Sequence, residues 1–203
     1  MTKQEIEIKF QISSSQFSKL KKWLEKNAKY KGENRQIDYY LDHPKNRLTF
    51  KNKDGIKDAE DYFRVRITPK GDSTCLKCWK KDPKRPGQYT HCDEHETDVE
   101  DGKILLNLYK ALGHEITAKV DKTRRTYRYK SLEIEVDKVR GVGVFVEIEL
   151  KRQVRNVQAG REMIYDLLRE IGIRKITFQN RGYVSMIWNP KYDFGEILEL
   201  KKT

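Results

Sequence analysis

The sequence lacks any long hydrophobic run. No stretch of the 203 residues approaches the roughly 18 to 20 apolar residues that a membrane-spanning helix needs. The first residues also lack the basic and apolar segments that mark a secretory signal peptide. We therefore expect a cytoplasmic protein that has no membrane partner.

Cysteine is scarce. The three cysteines are an odd number in a chain of this size, which argues against a disulfide framework and for reduced thiols. Cys75, Cys78, His91 and His95 do have the spacing of a zinc finger. The segment between them, however, contains prolines and a glycine, which oppose the helix that carries the histidines of such a finger. We therefore do not expect a structural zinc site.

Positive charge is in excess, with 43 lysines and arginines against 31 aspartates and glutamates and a net charge of +12. A chain of this charge binds polyanions in general, and a phosphorylated metabolite, nucleic acid or an acidic membrane surface would all fit it. Many of the acidic residues lie in strands that alternate charged and apolar side chains, so a plain basic patch for nucleic acid does not account for the sequence. Nucleic acid is therefore not the partner that we favour.

The pattern of turns and apolar residues predicts one domain of the α+β class. Amphipathic helices are indicated within 13–27, 104–114 and 159–173, the last two ended by glycine. About eight strands separated by tight turns predict an antiparallel sheet. The polar segment 51–61 is predicted to be a loop. We expect the domain to span 1–188 and a polar C-terminal tail to span 189–203, in a monomer or a homodimer.

Charged side chains alternate with apolar ones in a stretch that occurs twice, as EIEIK at 5–9 and as EIELK at 147–151. In a strand, alternate side chains lie on opposite faces, so the glutamates of each copy share one face. Other predicted strands also carry charges on one face, and the charges are sorted by strand into basic and acidic sets. The basic ones are Arg64, Arg66, Lys77, Lys122 and Arg124, and the acidic ones are Glu94, Glu96, Glu133, Glu135, Asp137, Glu147 and Glu149.

One explanation of these faces is a sheet whose charged side is exposed to water. Like charges on neighbouring strands are unfavourable, however, so acidic strands side by side indicate a cation between them. Closure of the sheet into a barrel would direct the apolar faces outward under the helices and the charged faces into a lumen. There, glutamates could bind Mg²⁺ or Mn²⁺, and the basic residues could bind the oxygens of a polyphosphate.

The sequence resembles the CYTH superfamily, also called triphosphate tunnel metalloenzymes. The family's E-x-E-x-K motif corresponds to Glu5, Glu7 and Lys9, and further motifs follow in the family's order over roughly 3–185. These motifs are DYYLDHP, RVR, the strand of Lys77, Glu94 with Glu96, K-T-R from Lys122, E-V-D and FVEIE. The resemblance implies a closed antiparallel eight-stranded β-barrel, or tunnel, with helices packed outside, which binds a triphosphate and requires Mg²⁺ or Mn²⁺.

The resemblance also implies roles for individual residues. The metal ligands would be Glu5, Glu7, Asp137, Glu147 and Glu149. The substrate-binding residues would be Lys9, Tyr40, Arg64, Arg66, Lys77, Lys122, Arg124 and Arg181. Glu94, Glu96 and Lys77 would assist catalysis, the glutamates by positioning a second metal, by orienting a basic neighbour or by assisting the nucleophile.

Members of the superfamily either hydrolyse a triphosphate or cyclise ATP to cyclic AMP and pyrophosphate. The run RGVGVFVEIE resembles the class IV adenylyl cyclases, but the serine of their near-terminal serine-tyrosine motif is replaced in Arg181-Gly182-Tyr183. We favour hydrolysis of ATP, thiamine triphosphate or inorganic triphosphate because it needs no dedicated nucleoside pocket. The alternatives are a class IV-type cyclase and a non-catalytic binder of polyphosphate or RNA ends.

Overall fold

The computed structural model describes residues 6–59, 61–81, 89–179 and 181–200, with only the backbone at 79–81 and 89–92. Four helices are present in these ranges: α1 (Ser14–Asn27), α2 (Gly102–Ala111), α3 (Val157–Ile171) and α4 (Tyr183–Trp188). The strands are β1 (Glu7–Gln11), β2 (Lys29–Asp42), β3 (Thr49–Lys51), β4 (Lys57–Ala59), β5 (Asp61–Ile67), β6 (Asp72–Lys81), β7 (Tyr89–Val99), β8 (Glu115–Tyr129), β9 (Leu132–Val139), β10 (Gly143–Leu150), β11 (Lys175–Gln179) and β12 (Gly195–Glu199). This is the α+β class that the sequence predicts.

Side-chain caps set the limits of the predicted helices. Ser13 and Gln16 form a capping box before α1, and the side chain of Asp101 accepts two backbone hydrogen bonds at the start of α2. Asn156 caps α3, and Gly172 ends this helix in the left-handed conformation, with φ of 86°. The three predicted helices are therefore confirmed, and α4 is an addition that the sequence did not indicate.

The described residues divide into two compact units. The first unit comprises Asn34–Lys122 and Tyr183–Tyr192, and the second unit comprises the remainder. Strands β2 and β8 contribute residues to both. None of the helices in the described ranges is long and apolar enough to span a membrane.

The second unit contains the larger hydrophobic core. Its strands β12, β11, β1, β10 and β9 are neighbours in that order, and each pair is antiparallel. The apolar faces of β1, β9 and β10 pack with α1 and α3, and the buried side chains include Ile8, Phe10, Leu20, Ile134, Ile148, Ile164 and Leu168. The charged faces of the same strands consequently point away from the helices.

The first unit repeats this arrangement on a smaller scale. Antiparallel pairs join β2 to β5, β5 to β6 and β6 to β7. Leu41 and Val65 pack with Leu106 of α2 on one face of these strands. The residues that alternate with these apolar ones along the strands, among them Arg64 and Arg66, lie on the other face.

The predicted closed eight-stranded barrel is wrong for the described residues. Strands β12 and β7 are terminal and each pairs on one side only, so the sheet is not closed. Strand β12 pairs with the outer edge of β11 and occupies its backbone hydrogen-bonding groups, so that β12 and not β11 is the edge of the sheet on this side. The strand arises from 195–199, within the predicted polar tail, while the predicted limits of the domain at 1–188 remain a prediction.

The segment 51–61 is not the plain loop that its composition predicted. Strands β3 and β4 pair as a two-stranded hairpin. The side chain of Asn52 accepts backbone hydrogen bonds from Asp54 and Ile56, and Gly55 adopts φ of 75° in the turn. A short polar turn is thus stabilised locally, and the hairpin positions Lys57 and Asp58.

The packing in the second unit leads to a stability prediction. Ile148 is fully buried between the sheet and the helices, so Ile148→Ala is expected to lower the free energy of unfolding by about 2 to 5 kcal/mol. Ile197 on β12 is 66% exposed, and Ile197→Ala is expected to cost about 0.5 kcal/mol or less. Urea denaturation measures both values, and equal losses for the two variants would contradict this description of the core.

Candidate active site

Charged residues on three neighbouring strands of the second unit lie in register. Glu7 of β1 lies opposite Glu149 of β10, which lies opposite Glu133 of β9. Two residues further along each strand, a second row consists of Lys9, Glu147 and Glu135. The two copies of the EIE pattern therefore lie on adjacent antiparallel strands, and their described glutamates share one face of the sheet.

Arg124 of β8 is the centre of an ion-pair network on this face. Its Nε and Nη2 donate to the two carboxylate oxygens of Asp137 at 2.7 and 2.5 Å, and Nη2 also contacts Glu147 at 2.5 Å. Glu135 is a third acidic partner of this guanidinium. Burial alone would lower the pKa of Arg124, but the charge of Glu147 and the hydrogen bonds to Asp137 raise it well above its usual range. The guanidinium therefore remains charged.

Lys9 belongs to the same network. Its Nζ lies 3.0 Å from Oε1 of Glu147, and both side chains are largely buried. Glu147 therefore contacts two cations, and Asp137 is fully buried against Arg124. A buried pair of this kind is strongly destabilised when one partner is removed, so these cations and carboxylates depend on one another.

The row of Glu7, Glu149 and Glu133 is richer in negative charge. Lys151 pairs with Glu149 and lies 3.2 Å from Glu133, and these carboxylates raise its pKa although burial opposes the effect. Glu7 is exposed and has no ion-pair partner among the residues that the structure describes. Carboxylate oxygens on adjacent strands are the donors that Mg²⁺ and Mn²⁺ prefer, so this row fits a hard divalent cation better than Asp137 does.

In the first unit, Asp38 pairs with the arginines of the RVR motif. It lies opposite Arg66, whose Nε and Nη2 donate to its carboxylate at 2.6 and 2.9 Å, and Arg64 approaches to 3.7 Å. Burial is the largest influence and would raise the pKa of Asp38. The hydrogen bonds from Arg66 and the charges of Arg66, Arg64 and Lys122 outweigh it and lower the pKa to about 2.

Glu94 and Glu96 lie on β7 beside the basic residues of β5 and β6. Glu94 is opposite Lys77 and forms an ion pair with it. Glu96 accepts a hydrogen bond from Ser73 at 3.0 Å and lies 3.6 Å from Arg64. The three predicted catalytic residues are thus neighbours.

Cys75 lies close to both glutamates. One ligand atom from each of Cys75, Glu94 and Glu96 falls within 4.8 Å of the others. Burial raises the pKa of the Cys75 thiol, which disfavours the thiolate that binds a metal. The two carboxylates are therefore the better donors of this group.

Lys122 and Tyr40 complete the predicted substrate-binding set of the first unit. Lys122 is only 4% exposed, and its Nζ lies 5.1 Å from the ring centre of Tyr183. Tyr40 lies opposite Arg64, and burial raises the pKa of its hydroxyl, which therefore stays protonated. Arg181 is half-buried in the second unit.

Two sequence predictions involve residues outside the described set. Glu5, a predicted metal ligand, lies outside it, and so does the side chain of His91, one member of the zinc-finger spacing. Among the described side chains, Cys75, Glu94 and Glu96 form the single group of three such residues whose ligand atoms all lie within 4.8 Å of one another.

The sequence reasoning missed Asp38 and Lys151. Asp38 shares a strand face with Tyr40, and its alternation with apolar positions could have predicted a carboxylate facing the RVR arginines. Lys151 was not among the predicted site residues, but its contact with Glu149 brings it to the acidic row. The ion pairs of Asp38 with Arg66 and of Lys151 with Glu133 depend on cross-strand register, which alternation alone does not give.

Comparison with known proteins identifies the family. The protein-family model described as the CYTH domain matches residues 3–183. A candidate adenylate cyclase of Methanocaldococcus jannaschii, MJ0240, is 24% identical over 95 residues, which cover 46% of this chain and 54% of that protein. The match thus spans about half the length of that relative.

Solved structures agree with the fold. The PH1819 protein of Pyrococcus horikoshii has a TM-score of 0.69 at 24% identity, covering 92% of this chain and 99% of that one. HpAC1 from Hippeastrum, a candidate adenylyl cyclase described as having a dominant triphosphatase activity, has a TM-score of 0.66 at 16% identity, covering 93% and 96%. At these identities the likeness shows the fold alone.

The low pKa of Asp38 predicts a pH-dependent stability. A carboxylate whose pKa falls to about 2 on folding, from an ordinary value of 3.8, stabilises the fold above about pH 4. This contribution, about 2 kcal/mol, is lost as the pH falls from about 5 to 2. The difference in unfolding free energy between wild type and Asp38→Asn is therefore expected to decrease by about 2 kcal/mol when the pH is lowered from about 5 to 2.

Urea denaturation at several pH values measures this difference. Asp54→Asn, in an exposed turn, is the matched control and is expected to change the free energy of unfolding by about 0.5 kcal/mol or less. A pH-independent difference between wild type and Asp38→Asn would contradict the role assigned to Arg66 and Arg64.

Proposed function

Because the chain belongs to the CYTH family, we propose that it is a divalent-metal-dependent enzyme that hydrolyses a phosphoanhydride bond of a triphosphate. The observation that carries the proposal is the set of cations held on the sheet faces by carboxylates, above all Arg124 and Lys9 around Glu147. Several charge-assisted hydrogen bonds to one polyanion bind it strongly, and the carboxylates already hold these side chains in place.

We propose that Glu7, Glu147 and Glu149 hold the metal, with Glu5 as a further ligand and Asp137 as a support. Support comes from the direct opposition of Glu7 and Glu149, two like charges that a cation between them would stabilise. When bound, a divalent cation neutralises negative charge on the phosphate oxygens and helps to orient the attacking water. Asp137 mainly fixes Arg124, because both of its oxygens accept hydrogen bonds from that guanidinium.

The basic residues are proposed to bind phosphate oxygens: Lys9, Arg64, Arg66, Lys77, Lys122, Arg124 and Arg181, with Tyr40 as a neutral donor. Five of these cations, Lys9, Arg64, Arg66, Lys77 and Arg124, each have an acidic partner that orients them. Phosphate oxygens would take over part of that role when substrate binds. The arginines are suited to this exchange because the guanidinium offers several donors in a fixed geometry.

In the proposed reaction, the oxygen of a water molecule attacks the terminal phosphorus and the anhydride P–O bond breaks, so that orthophosphate is released and the remaining diphosphate leaves with the bridging oxygen. Glu94 or Glu96 accepts the proton of the water, and Lys77, paired with Glu94, stabilises charge that develops on the phosphoryl oxygens. These roles rest on the adjacency of the three side chains on β6 and β7.

Cyclisation of ATP to cyclic AMP and pyrophosphate is the second candidate. It is favoured by the relative from Methanocaldococcus jannaschii, whose name describes an adenylate cyclase. Hydrolysis is preferred because it requires a positioned water and no contact that directs a ribose hydroxyl to the α-phosphorus.

Product analysis distinguishes the two reactions. The protein is incubated with ATP, inorganic triphosphate or thiamine triphosphate and with Mg²⁺ or Mn²⁺, and a chelator replaces the metal in the control. We expect metal-dependent release of orthophosphate. Cyclic AMP with pyrophosphate would instead identify a cyclase, and tight binding without turnover would identify a non-catalytic binder.

Removal of one proposed ligand tests the metal assignment. Glu149→Gln is expected to increase the metal concentration needed for half-maximal activity by at least about 10-fold, because a neutral amide is a poor ligand for a hard cation. Glu25→Gln, on the exposed surface of α1, is the matched control and is expected to behave like wild type. A metal titration of Glu149→Gln that coincides with that of wild type would overturn the assignment.

A further inference from the structure

An aromatic pair lies on the charged face of the first unit. The rings of Tyr62 on β5 and Trp188 on α4 are nearly parallel, with an interplanar angle of 14° and centroids 6.3 Å apart. Tyr40 contacts Tyr62 edge-on, also at 6.3 Å. Both residues of the pair are half-buried, so part of each side chain is accessible to solvent.

The pair is adjacent to proposed phosphate-binding residues. Tyr62, Arg64 and Arg66 are alternate residues of β5 and share one face, at intervals of roughly 7 Å. Lys77 lies directly opposite Tyr62 in the register between β5 and β6. A ligand whose phosphates contact Arg64 and Lys77 would therefore bring its organic part to the ring of Tyr62.

Polar contacts hold both rings in place. Nε1 of Trp188 donates to the carbonyl of Thr117 at 3.0 Å, and the hydroxyl of Tyr62 donates to Asp58 at 3.2 Å. Next to Trp188, the side chain of Asn189 forms two hydrogen bonds with the backbone of Lys57, at 2.9 and 2.8 Å. Rings fixed in this way lose little entropy when a third ring stacks on them.

A lysine selects the charge of the stacking partner. Nζ of Lys57 lies 4.8 Å from the ring centre of Trp188, so one cation already interacts with this π-system. A second cation, such as the thiazolium of thiamine, would be repelled by Lys57. A neutral heterocycle would not be repelled, whereas the attraction of Lys57 for the triphosphate is common to both kinds of ligand.

We propose that Tyr62 and Trp188 form a stacking platform for the base of a nucleoside triphosphate. The inference rests on the proposed function for the identity of the triphosphate group and adds the organic part of the substrate. It also assigns a role to the β3–β4 hairpin, which supplies Lys57 and Asp58 around the platform.

Binding without turnover tests the platform. Calorimetric titrations with ATP and with inorganic triphosphate, in a chelator, give the ratio of the two dissociation constants. We expect Trp188→Leu to raise this ratio, Kd for ATP over Kd for inorganic triphosphate, by at least about fivefold, because base–aromatic stacking is lost. Trp188→Phe keeps a ring for stacking and is expected to stay within about twofold of wild type.

Two further variants sharpen the test. Trp23→Leu, which removes an indole from the second unit, is the matched control and is expected to leave the ratio unchanged. Lys57→Gln is expected to tighten the binding of thiamine triphosphate relative to ATP. Thermal unfolding of each variant confirms that it is folded at the temperature of the titration.

The inference is overturned if Trp188→Leu leaves the ratio of the two dissociation constants unchanged. It is also overturned if Trp188→Phe raises this ratio as much as Trp188→Leu does, because that result would indicate a structural role of the indole N–H. Weaker binding of thiamine triphosphate than of ATP to wild type supports the choice of a neutral base, and the reverse overturns it. Failure of the proposed function would appear separately, as the absence of phosphate release from every triphosphate.

Discussion

A charge that leaves water destabilises a protein by several kcal/mol unless an opposite charge compensates it, and this constraint governs the polar face of each unit. Arg124 contacts three carboxylates in the second unit, and Asp38 contacts two arginines in the first. On the same strands, the apolar faces pack against helices and the opposite faces are compensated in this way. Binding of a polyanion or a metal is consequently an exchange of partners, in which each ligand competes with an internal ion pair.

Much of the fold could be predicted from the sequence because local signals agree. The serine cap of α1, the glycine after α3 and the strict alternation in EIEIK and EIELK correctly predict helices and strand faces. The candidate site was predictable to the same extent, since alternation fixes which charges share a face. It predicted that Lys9 and Glu147 are directed to one side, but it did not predict that they form an ion pair.

The remaining features depend on long-range pairing, which no local pattern encodes. Barrel closure requires specific edges to meet, and in the described residues β12 and β7 remain terminal. The partners of Asp38 and Lys151 follow from register, and the platform of Tyr62 and Trp188 joins residues that are 126 positions apart in the chain. The hairpin at 51–61 was missed because its strands are short and polar, and its turn depends on one asparagine side chain.

Strand β12 affects how readily the protein can aggregate. The strand that it covers, β11, has the sequence KITFQ, whose β-branched and aromatic residues would make an exposed edge a template for intermolecular pairing. The outermost strand is instead the five-residue β12, which carries Glu196 and Glu199. Short, acidic edges discourage the addition of a further strand. Residues 195–199 of the predicted polar tail thus protect the edge of β11 against intermolecular pairing. Removal of this strand is therefore expected to lower the solubility of the protein.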